Sequence, residues 1–513
     1  MRGMGKIVSK AEFRDKIRPE LKKENKKIAL CHGVFDLVHA GHITHLEQAK
    51  EMADILVVSI TAAEFVRKGP DRPYFNDEQR LKFLSAIECV DYCMLSEGYT
   101  VDDIVEAVEP DYYVKGAEYA DEEADVTNNI RPERELVEKH GGQIRYTTGE
   151  VFSSTKLINR GLSALPQEVV EFTESFKKKH STEEILSITE KIKDLKVLVI
   201  GDVIIDRYTY CRMQGLMSKD QGYSTRINSD EVHLGGSLAI ARHISSFCNN
   251  VTLASVIGSE ENIYSLLQNE LSGKMELKLV RSPEFPTIVK RRYLTRNAKR
   301  EEYRKIFAVT NIPEKTKYDK ESWCELYNYL YKNIENFDVV FICDFGHGLI
   351  GHKIISLLEE KSKFIILNCQ TNSSNHGKNI ITKYHRADRF SLDQEELALA
   401  FPEYSDEENE ALRMLCEHLH GSGWLTRGSE GAKSCDGTEI DSCPAFTLSV
   451  KDTIGAGDAF FSVAGIYSAA GASEEMGLFM GNIAGALGAN IVGNRESVEK
   501  VDVLKFAGTL LNV

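Results

Sequence analysis

The stretch "CHGVFDLVHAGHITHLEQAK", Cys31 to Lys50, decides how the chain is read. Its lead-in "KKIAL" is a short apolar run and Gly33 follows; from Gly41 onward Ile43, Leu46 and Ala49 recur at helical spacing, so the period changes from strand to helix within the motif. His39 and His42 therefore fall at or just before a helix start, where unpaired backbone N–H groups and the positive end of the helix dipole favour a phosphate. Residues three apart share a helix face, so both imidazoles can address one anion and donate to charge developing at a phosphorus atom. Gly41 lets the backbone approach that anion closely.

After this helix, "DILVVSI" (Asp54 to Ile60) is a continuous apolar run of the kind buried in a parallel sheet. Pro70 and Pro73 then break the chain around Arg67, Lys68 and Arg72, and a helix is expected from near Asn76, with Leu81, Leu84 and Ile87 on its apolar side. Basic residues just past a strand's C-terminal end stand where open α/β sheets bind ligands. Downstream, "PDYYVKGAEYAD" supplies another strand ending at Lys115-Gly116, and "EVFSSTKLINR" places Ser153, Ser154 and Thr155 in N-cap chemistry ahead of a helix.

The string "GVFDLVHAGHITHLEQAK" closely resembles the G-x-F-D-x-x-H-x-G-H signature of the cytidylyltransferase-like nucleotidyltransferases. The basic turn resembles that family's K-G … R-P … E-Q-R segment through Lys68, Arg72, Glu78 and Arg80, and Lys115-Gly116 resembles its K-G-x-x-Y segment. The resemblance implies a Rossmann-like domain over residues 1–160 in which His39, His42 and Lys68 are catalytic. It assigns Gly33, Phe35, Gly41, Arg72, Lys115, Gly116, Ser153, Ser154 and Thr155 to the nucleotide, the last three holding its β- and γ-phosphates. The implied chemistry is attack by a substrate phosphate on the α-phosphorus of ATP or CTP, expelling pyrophosphate without a covalent intermediate. Mg²⁺ accompanies the nucleotide, and no metal site made by the protein is expected. Positioning and charge stabilisation carry most of such a transfer. His45 lies outside the signature and is read as packing or surface.

At 513 residues the chain has room for two or three domains, and 42% hydrophobic with 27% charged residues is ordinary globular composition. A formal net charge of −15 argues against general binding to nucleic acid or to an anionic membrane, so phosphate sites must be local. Eleven cysteines, scattered without a C-x-x-C pair, read as reduced thiols of a cytoplasmic protein. Neither a secretory leader nor a membrane-spanning run is expected.

Residues 161–181 read as a helical connector, and "STEE" at Ser181 opens a helix that belongs with the second domain. From 182 to 513 the chain reads as a second α/β unit. "KVLVIGDVIIDRYTYC" gives a buried-strand run, a glycine, then Asp202 and Asp206, and similar runs recur at "VVFICDFGHG" and "SKFIILNC". Near the end, "SVKDTIGAGDAFFSVAGIYSAAGA" is a glycine turn entering an apolar helix. Gly455 and Gly457 let the amides at that helix start surround a phosphate, and Asp458 sits where it could accept a proton from an attacking hydroxyl.

That string strongly resembles the D-T-x-G-A-G-D-x-F motif of the ribokinase-like carbohydrate kinases. "LTRGSEG" resembles their T-x-G-x-x-G nucleotide loop, and "GDVIIDRY" and "LGGSLAIARHI" fall in register with it. The resemblance implies Asp458 as general base, Thr426, Gly428, Gly431, Gly455, Ala456 and Gly457 at the nucleotide, and Asp202, Asp206, Gly235, Gly236, Asp393 and Glu396 at the acceptor. The acceptor end departs from the pattern. Ala239 stands where the family has its sugar-binding Asn, Asp393 replaces the Asn of N-x-x-E, His347 replaces a Lys, and Asn368, Cys369 and Gln370 replace D-P-K. "PTIVKRRYLTRNAKREEYRK" carries eight Lys or Arg between Lys290 and Lys305 and starts with strand alternation. It reads as a small β lid, either a solvated strand face or one whose Lys290 and Arg292 meet a phosphorylated acceptor.

The fold class expected is therefore α/β, with two doubly wound parallel-sheet domains, the second bearing a β lid. Both resemblances point to the bifunctional heptose-phosphate kinase/adenylyltransferase enzymes, here in reversed order. The expectation is an activated-sugar enzyme with ATP and/or CTP and a sugar or sugar-phosphate acceptor, a homodimer whose halves work independently. The alternative is an active transferase, making a CDP-polyol or similar product, with a non-catalytic kinase-like half.

Overall fold

The structure, a computed structural model, describes residues 6–67, 69, 72–116, 130–148, 165–217, 222–296, 303–312, 319–372, 375–446 and 450–511. Its contacts divide the chain into two compact units, Met1–Glu174 with Leu504–Val513, and Ser175–Val503. The division falls inside the helix Gln167–Lys179. The helix Thr182–Ile192, capped by the Ser181 hydroxyl accepting from the Glu184 N–H at 3.1 Å, lies in the second unit.

The first unit holds six strands, β1 (Lys6–Ile7), β2 (Ile28–Gly33), β3 (Ile55–Thr61), β4 (Tyr92–Ser96), β5 (Tyr112–Lys115) and β6 (Gln143–Tyr146), in the order β1-β4-β3-β2-β5-β6. Every pairing is parallel. Apolar residues alternate to both faces of β2 and β3, so the sheet is buried on both sides: Leu30 and Val57 pack into one cluster, Ala29, Cys31 and Val58 into the other. The chain runs outward from β2 through β3 to β4, then returns to β5 on the opposite flank. The crevice beyond the ends of β2 and β5 is therefore a topological switch point, the place where such sheets bind ligands.

The second unit has a nine-stranded sheet and a separate four-stranded one. The large sheet comprises β7 (Lys196–Gly201), β10 (Asn250–Gly258), β11 (Glu276–Ser282), β14 (Val339–Asp344), β15 (Ile365–Cys369), β16 (Arg389–Asp393), β17 (Ser422–Thr426), β18 (Ala432–Cys435) and β19 (Ile440–Cys443). Its order is β11-β10-β7-β14-β15-β16-β17-β18-β19. Pairing is parallel from β11 to β17, while β18 and β19 are added antiparallel, so the expected parallel sheet carries an antiparallel edge. Short returns through Gly428–Glu430 and Asp436–Glu439 leave no length for the crossover that parallel pairing needs. The switch point here lies between β7 and β14.

The lid is the four-stranded sheet, made of β8 (Val203–Leu216), β9 (Tyr223–Gly236), β12 (Ile288–Arg296) and β13 (Tyr303–Asn311) in the order β13-β12-β8-β9. It is larger than "PTIVKRRYLTRN" alone suggests, because β8 starts two residues after β7 ends and leaves for the other sheet. Register sets its faces: Lys290 pairs with Asp206, and Asp206 with His233, on one side. On the other side Arg291 pairs with Val309 and Tyr293 with Phe307, and that face leaves Val232, Phe307 and Val309 exposed.

Candidate active sites

In the first unit the signature residues follow the end of β2. Gly33 is its last residue, and Phe35 turns the chain with a φ of 47°. His39 is the extended N-cap residue of the helix Ala40–Glu51, which puts Gly41 and His42 in its first turn. The His39 and His42 rings stack with centroids 3.9 Å apart, and the Phe35 ring lies 5.1 Å from His42. The expected shared face is thus present, and burial lowers the pKa of His39. The next helix, Asp77–Ser85, begins at Asn76 with a capping box to Gln79.

Arg72 does not project freely from the basic turn. Its Nη1 donates to Asp36 Oδ2 at 2.8 Å, with the side chains 7% and 3% exposed, and the Phe75 N–H donates to the other carboxylate oxygen at 3.1 Å. Asp36, the acid of the signature, thereby ties the basic loop to the histidine loop. Arg80 is buried and donates to the Val34 carbonyl at 2.7 Å, bracing the same turn, whereas Glu78 is exposed. Lys115 ends β5 across the crevice and pairs with Glu133 at 2.7 Å, and Gly116 follows it. His45, off the signature, is hydrogen-bonded to the Thr147 hydroxyl at 2.8 Å. Nothing in the sequence singles out His32. It sits between Ser59 and Thr61 at 2.9 and 3.3 Å, and burial lowers it to about 3, so it is neutral at pH 7. Lys68, Ser153, Ser154 and Thr155 lie outside the described residues.

In the second unit the apolar helix Ala456–Ala469 starts at Gly455, which has a φ of 86°. A Cβ there would lie 1.9 Å from the Asn494 Oδ1, so only glycine fits this turn. Asp452 holds the approach, accepting from the N–H groups of Ile454 and Gly493 at 3.1 and 3.0 Å. Ala456, Gly457 and Asp458 form the first turn; the Ala456 N–H donates to the Thr453 carbonyl at 3.3 Å, and the N–H groups of Gly457 and Asp458 have no acceptor within the helix. Thr426 ends β17, Gly428 opens the turn after it, and Gly431 closes that turn.

Burial raises the Asp458 carboxyl to about 7, while a hydrogen bond from Gln370 Nε2 at 3.1 Å acts in the opposite sense. Gln370 occupies the position where the family places the Lys of D-P-K, so a departure from the motif has become a contact to Asp458. Asp202 leaves the end of β7 at the switch point and accepts from the His347 N–H at 3.3 Å. His347 is buried; burial and Lys290 lower its ring to about 4, and its Nε2 has no hydrogen-bond partner among the described residues. Asp206 forms a buried ion pair with Arg292. Lys290 faces Asp206, Asp202 and Asp458, all of which favour its charge against the larger cost of burial, which lowers its pKa. Gly235 and Gly236 close β9 opposite Ile204 and Val203.

The structure thus gathers Asp202, Asp206, Lys290, Arg292, His347 and Asp458 at one end of the sheet. Asp393 and Glu396 form a reciprocal capping box at the helix Gln394–Ala400, and Glu396 lies in the field of Asp458. Glu396 also accepts from the Thr371 N–H at 2.9 Å, and burial raises it to about 8. Asp36, Gln370, Asp452 and Glu133 are the partners sequence reasoning missed. Asp36 stands within the quoted signature and Asp452 within the glycine motif, but Gln370 and Glu133 carry no local signal.

Residues 30–160 match the family described as cytidylyltransferase-like, and residues 194–500 match the pfkB family carbohydrate kinases. The first part is also similar to curated relatives. It is 35% identical over 159 residues to the bifunctional protein HldE of Koribacter versatilis, covering 30% of this chain and 31% of that one. Against the HldE of Syntrophotalea carbinolica it is 30% identical over 165 residues, covering 31% of this chain and 32% of the relative. The chain thus spans about a third of the length of the curated relatives it matches. Among solved structures, a ribokinase from Thermotoga maritima overlaps 61% of this chain and 99% of its own at 16% identity, with a TM-score of 0.45. With a match running from 194 to 500 through the large sheet, the lid and the Gly455 helix start, the chain belongs to the pfkB family of carbohydrate kinases, and it carries a cytidylyltransferase-like segment ahead of that domain.

Proposed function

We propose that the chain is a two-site enzyme of nucleotide-activated sugar synthesis. The first site transfers a nucleotidyl group from ATP or CTP to a sugar phosphate of heptose 1-phosphate type and releases pyrophosphate. Mg²⁺ enters with the nucleotide as part of the substrate. The phosphate nucleophile is already anionic, so His39, His42 and Lys68 need only orient the triphosphate and donate to its developing charge. The second site uses ATP to phosphorylate a sugar or sugar phosphate. There Asp458 takes the proton from the attacking hydroxyl while the helix-start amides of Gly457 and Asp458 bind phosphate.

The observation that carries this reading is Asp458, held at about 7 beside Gly455 and Lys290, where a carboxyl can act as a base at neutral pH. Lys290 favours an acceptor with a phosphate of its own. Free thiols at all eleven cysteines support a cytoplasmic setting, and the exposed Val232, Phe307 and Val309 on the outer lid face support a homodimer. The test is incubation with ATP and CTP against a panel of sugars and sugar phosphates, scoring pyrophosphate and ADP separately. A second reading, an active transferase with a non-catalytic kinase-like half, is favoured by Arg292 already neutralising Asp206 and by Ala239 in place of an acceptor-binding Asn. Pyrophosphate without ADP across the whole panel selects it.

A further inference from the structure

The loop between β3 and the helix Asp77–Ser85 carries Lys68 and Arg72, and its described parts are held at three places. On the entry side the Phe65 ring packs edge-on to Tyr99 at 5.1 Å, and the Arg67 guanidinium lies 4.0 Å over the same ring. On the exit side Arg72 and the Phe75 N–H are held by Asp36. Between them, Gly69 takes a φ of 96° and turns its backbone onto the ring of Phe506. A Cβ at Gly69 would lie 2.3 Å from Phe506 Cδ2 and 2.5 Å from Cε2.

Phe506 comes from the helix Lys500–Leu511, whose residues from Leu504 onward cluster with the first unit. It is 3% exposed, and Ala507, Leu510 and Leu511 are buried with it, so this end of the helix is packed and not frayed. The residue lies outside both family matches, 30–160 and 194–500. The far end of the chain therefore supplies a wall to the basic loop that the transferase segment does not itself contain.

We infer that Phe506 is a positioning residue for nucleotidyl transfer, seating the Gly69 backbone so that Arg72, tied through Asp36 to the histidine loop, is held in place. The inference rests on the transferase reading above. Phe506 need not touch substrate: a displacement of about 1 Å in a positioned group costs about 10²-fold in rate. It also means that the first site is incomplete without residues 504–511, against the expectation that the two halves work independently.

The test uses full-length Phe506→Ala, Phe506→Leu, Gly69→Ala and the Phe506→Ala/Gly69→Ala double variant, with thermal unfolding as the control. Phe506→Ala should lower kcat for pyrophosphate release by about 10- to 100-fold while KM for the nucleotide moves less than about threefold. Leucine, which keeps an apolar body, should recover much of the rate. Gly69→Ala should show the same pattern, and the double variant should lose less than the product of the two single changes, because removing the ring relieves its clash with the methyl while the strain of a side chain at a φ of 96° remains. Wild-type rates in both Phe506 variants overturn the inference. So does strict additivity of the two alanine changes, or a loss of rate that follows a lowered Tm in every variant. Absence of pyrophosphate release from the wild-type chain with every nucleotide and acceptor instead refutes the transferase reading, and this inference with it.

Discussion

Two helix starts, at His39 and at Gly455, face the switch points of their sheets, and the titratable groups around them are of different kinds. At the first stand His39 and His42, with Arg72 in the loop after β3 and Lys115 at the end of β5, both already matched by acids, Asp36 and Glu133. At the second stand Asp202, Asp206 and Asp458, with Lys290 and Arg292 as the cations among them. The difference follows the nucleophile each site is proposed to use. A phosphate attacks without losing a proton, so its site needs donors; a hydroxyl must be deprotonated, so its site needs a carboxylate whose affinity for protons has been raised.

The change expected to have the largest effect removes that carboxylate. Asp458→Asn keeps the shape and loses the proton acceptor, so ADP formation should fall about 10²- to 10⁴-fold with ATP binding little changed. Pyrophosphate release should continue at the wild-type rate. Equal ADP formation by wild type and Asp458→Asn with every acceptor would leave the second site without a base and erase the contrast. The converse substitution, His42→Ala, should lower pyrophosphate release about 10²- to 10³-fold, the usual size for removing one donor to developing charge. ADP formation should be untouched, and unimpaired pyrophosphate release in this variant would remove the stacked histidines from the mechanism.

Solution pH should separate the two sites next. As the proposed base, Asp458 acts only when ionised, and burial raises its pKa to about 7. For ADP formation, kcat/KM should therefore rise with pH up to about 7 and level off above it, falling about tenfold for each unit below. Pyrophosphate release should lack this limb, because no carboxylate raised toward neutrality takes part in it. A matching acid limb in both activities would point to a shared cause, such as loss of folding, and not to Asp458.

The parts of these sites that are legible in the sequence are those whose meaning is local. The change from strand to helix period places His39 at a helix start, and glycine ahead of an apolar helix places Asp458 in a first turn. What escapes is pairing across the fold. Nothing near Arg72 says that Asp36 will bury it, nothing near Asp458 says that Gln370 will donate to it, and a phenylalanine close to the end of the chain carries no sign that Gly69 rests on it. The lid reads too small in the sequence for a related reason. Val203 to Ile205 is as apolar as the strand before it, and only the turn at Asp202 sends that run into a different sheet. Asp393 and Glu396 show a local meaning the resemblance does not mention: their D-x-x-E spacing, which suggests acceptor binding through the resemblance, also forms a capping box.

The smallest effect expected tests the lid, where alternation alone distinguishes two adjacent cations. Lys290 lies on the face shared with Asp206, in the field of Asp202 and Asp458, and Arg291 lies on the opposite face, paired in register with Val309. Lys290→Met keeps the apolar stem and removes the charge, so it should raise KM for a phosphorylated acceptor by about tenfold, the size of one charge-assisted contact of about 1.4 kcal/mol. KM for ATP should stay the same if Lys290 meets the acceptor as proposed. For an unphosphorylated sugar the change should be smaller, because the ammonium then has no anion to meet. Arg291→Ala should alter each constant by less than about twofold, as surface changes away from a site do. If both variants raise the acceptor KM equally, the lid acts through its net charge and not through one oriented lysine, and the preference for a phosphorylated acceptor loses its structural basis.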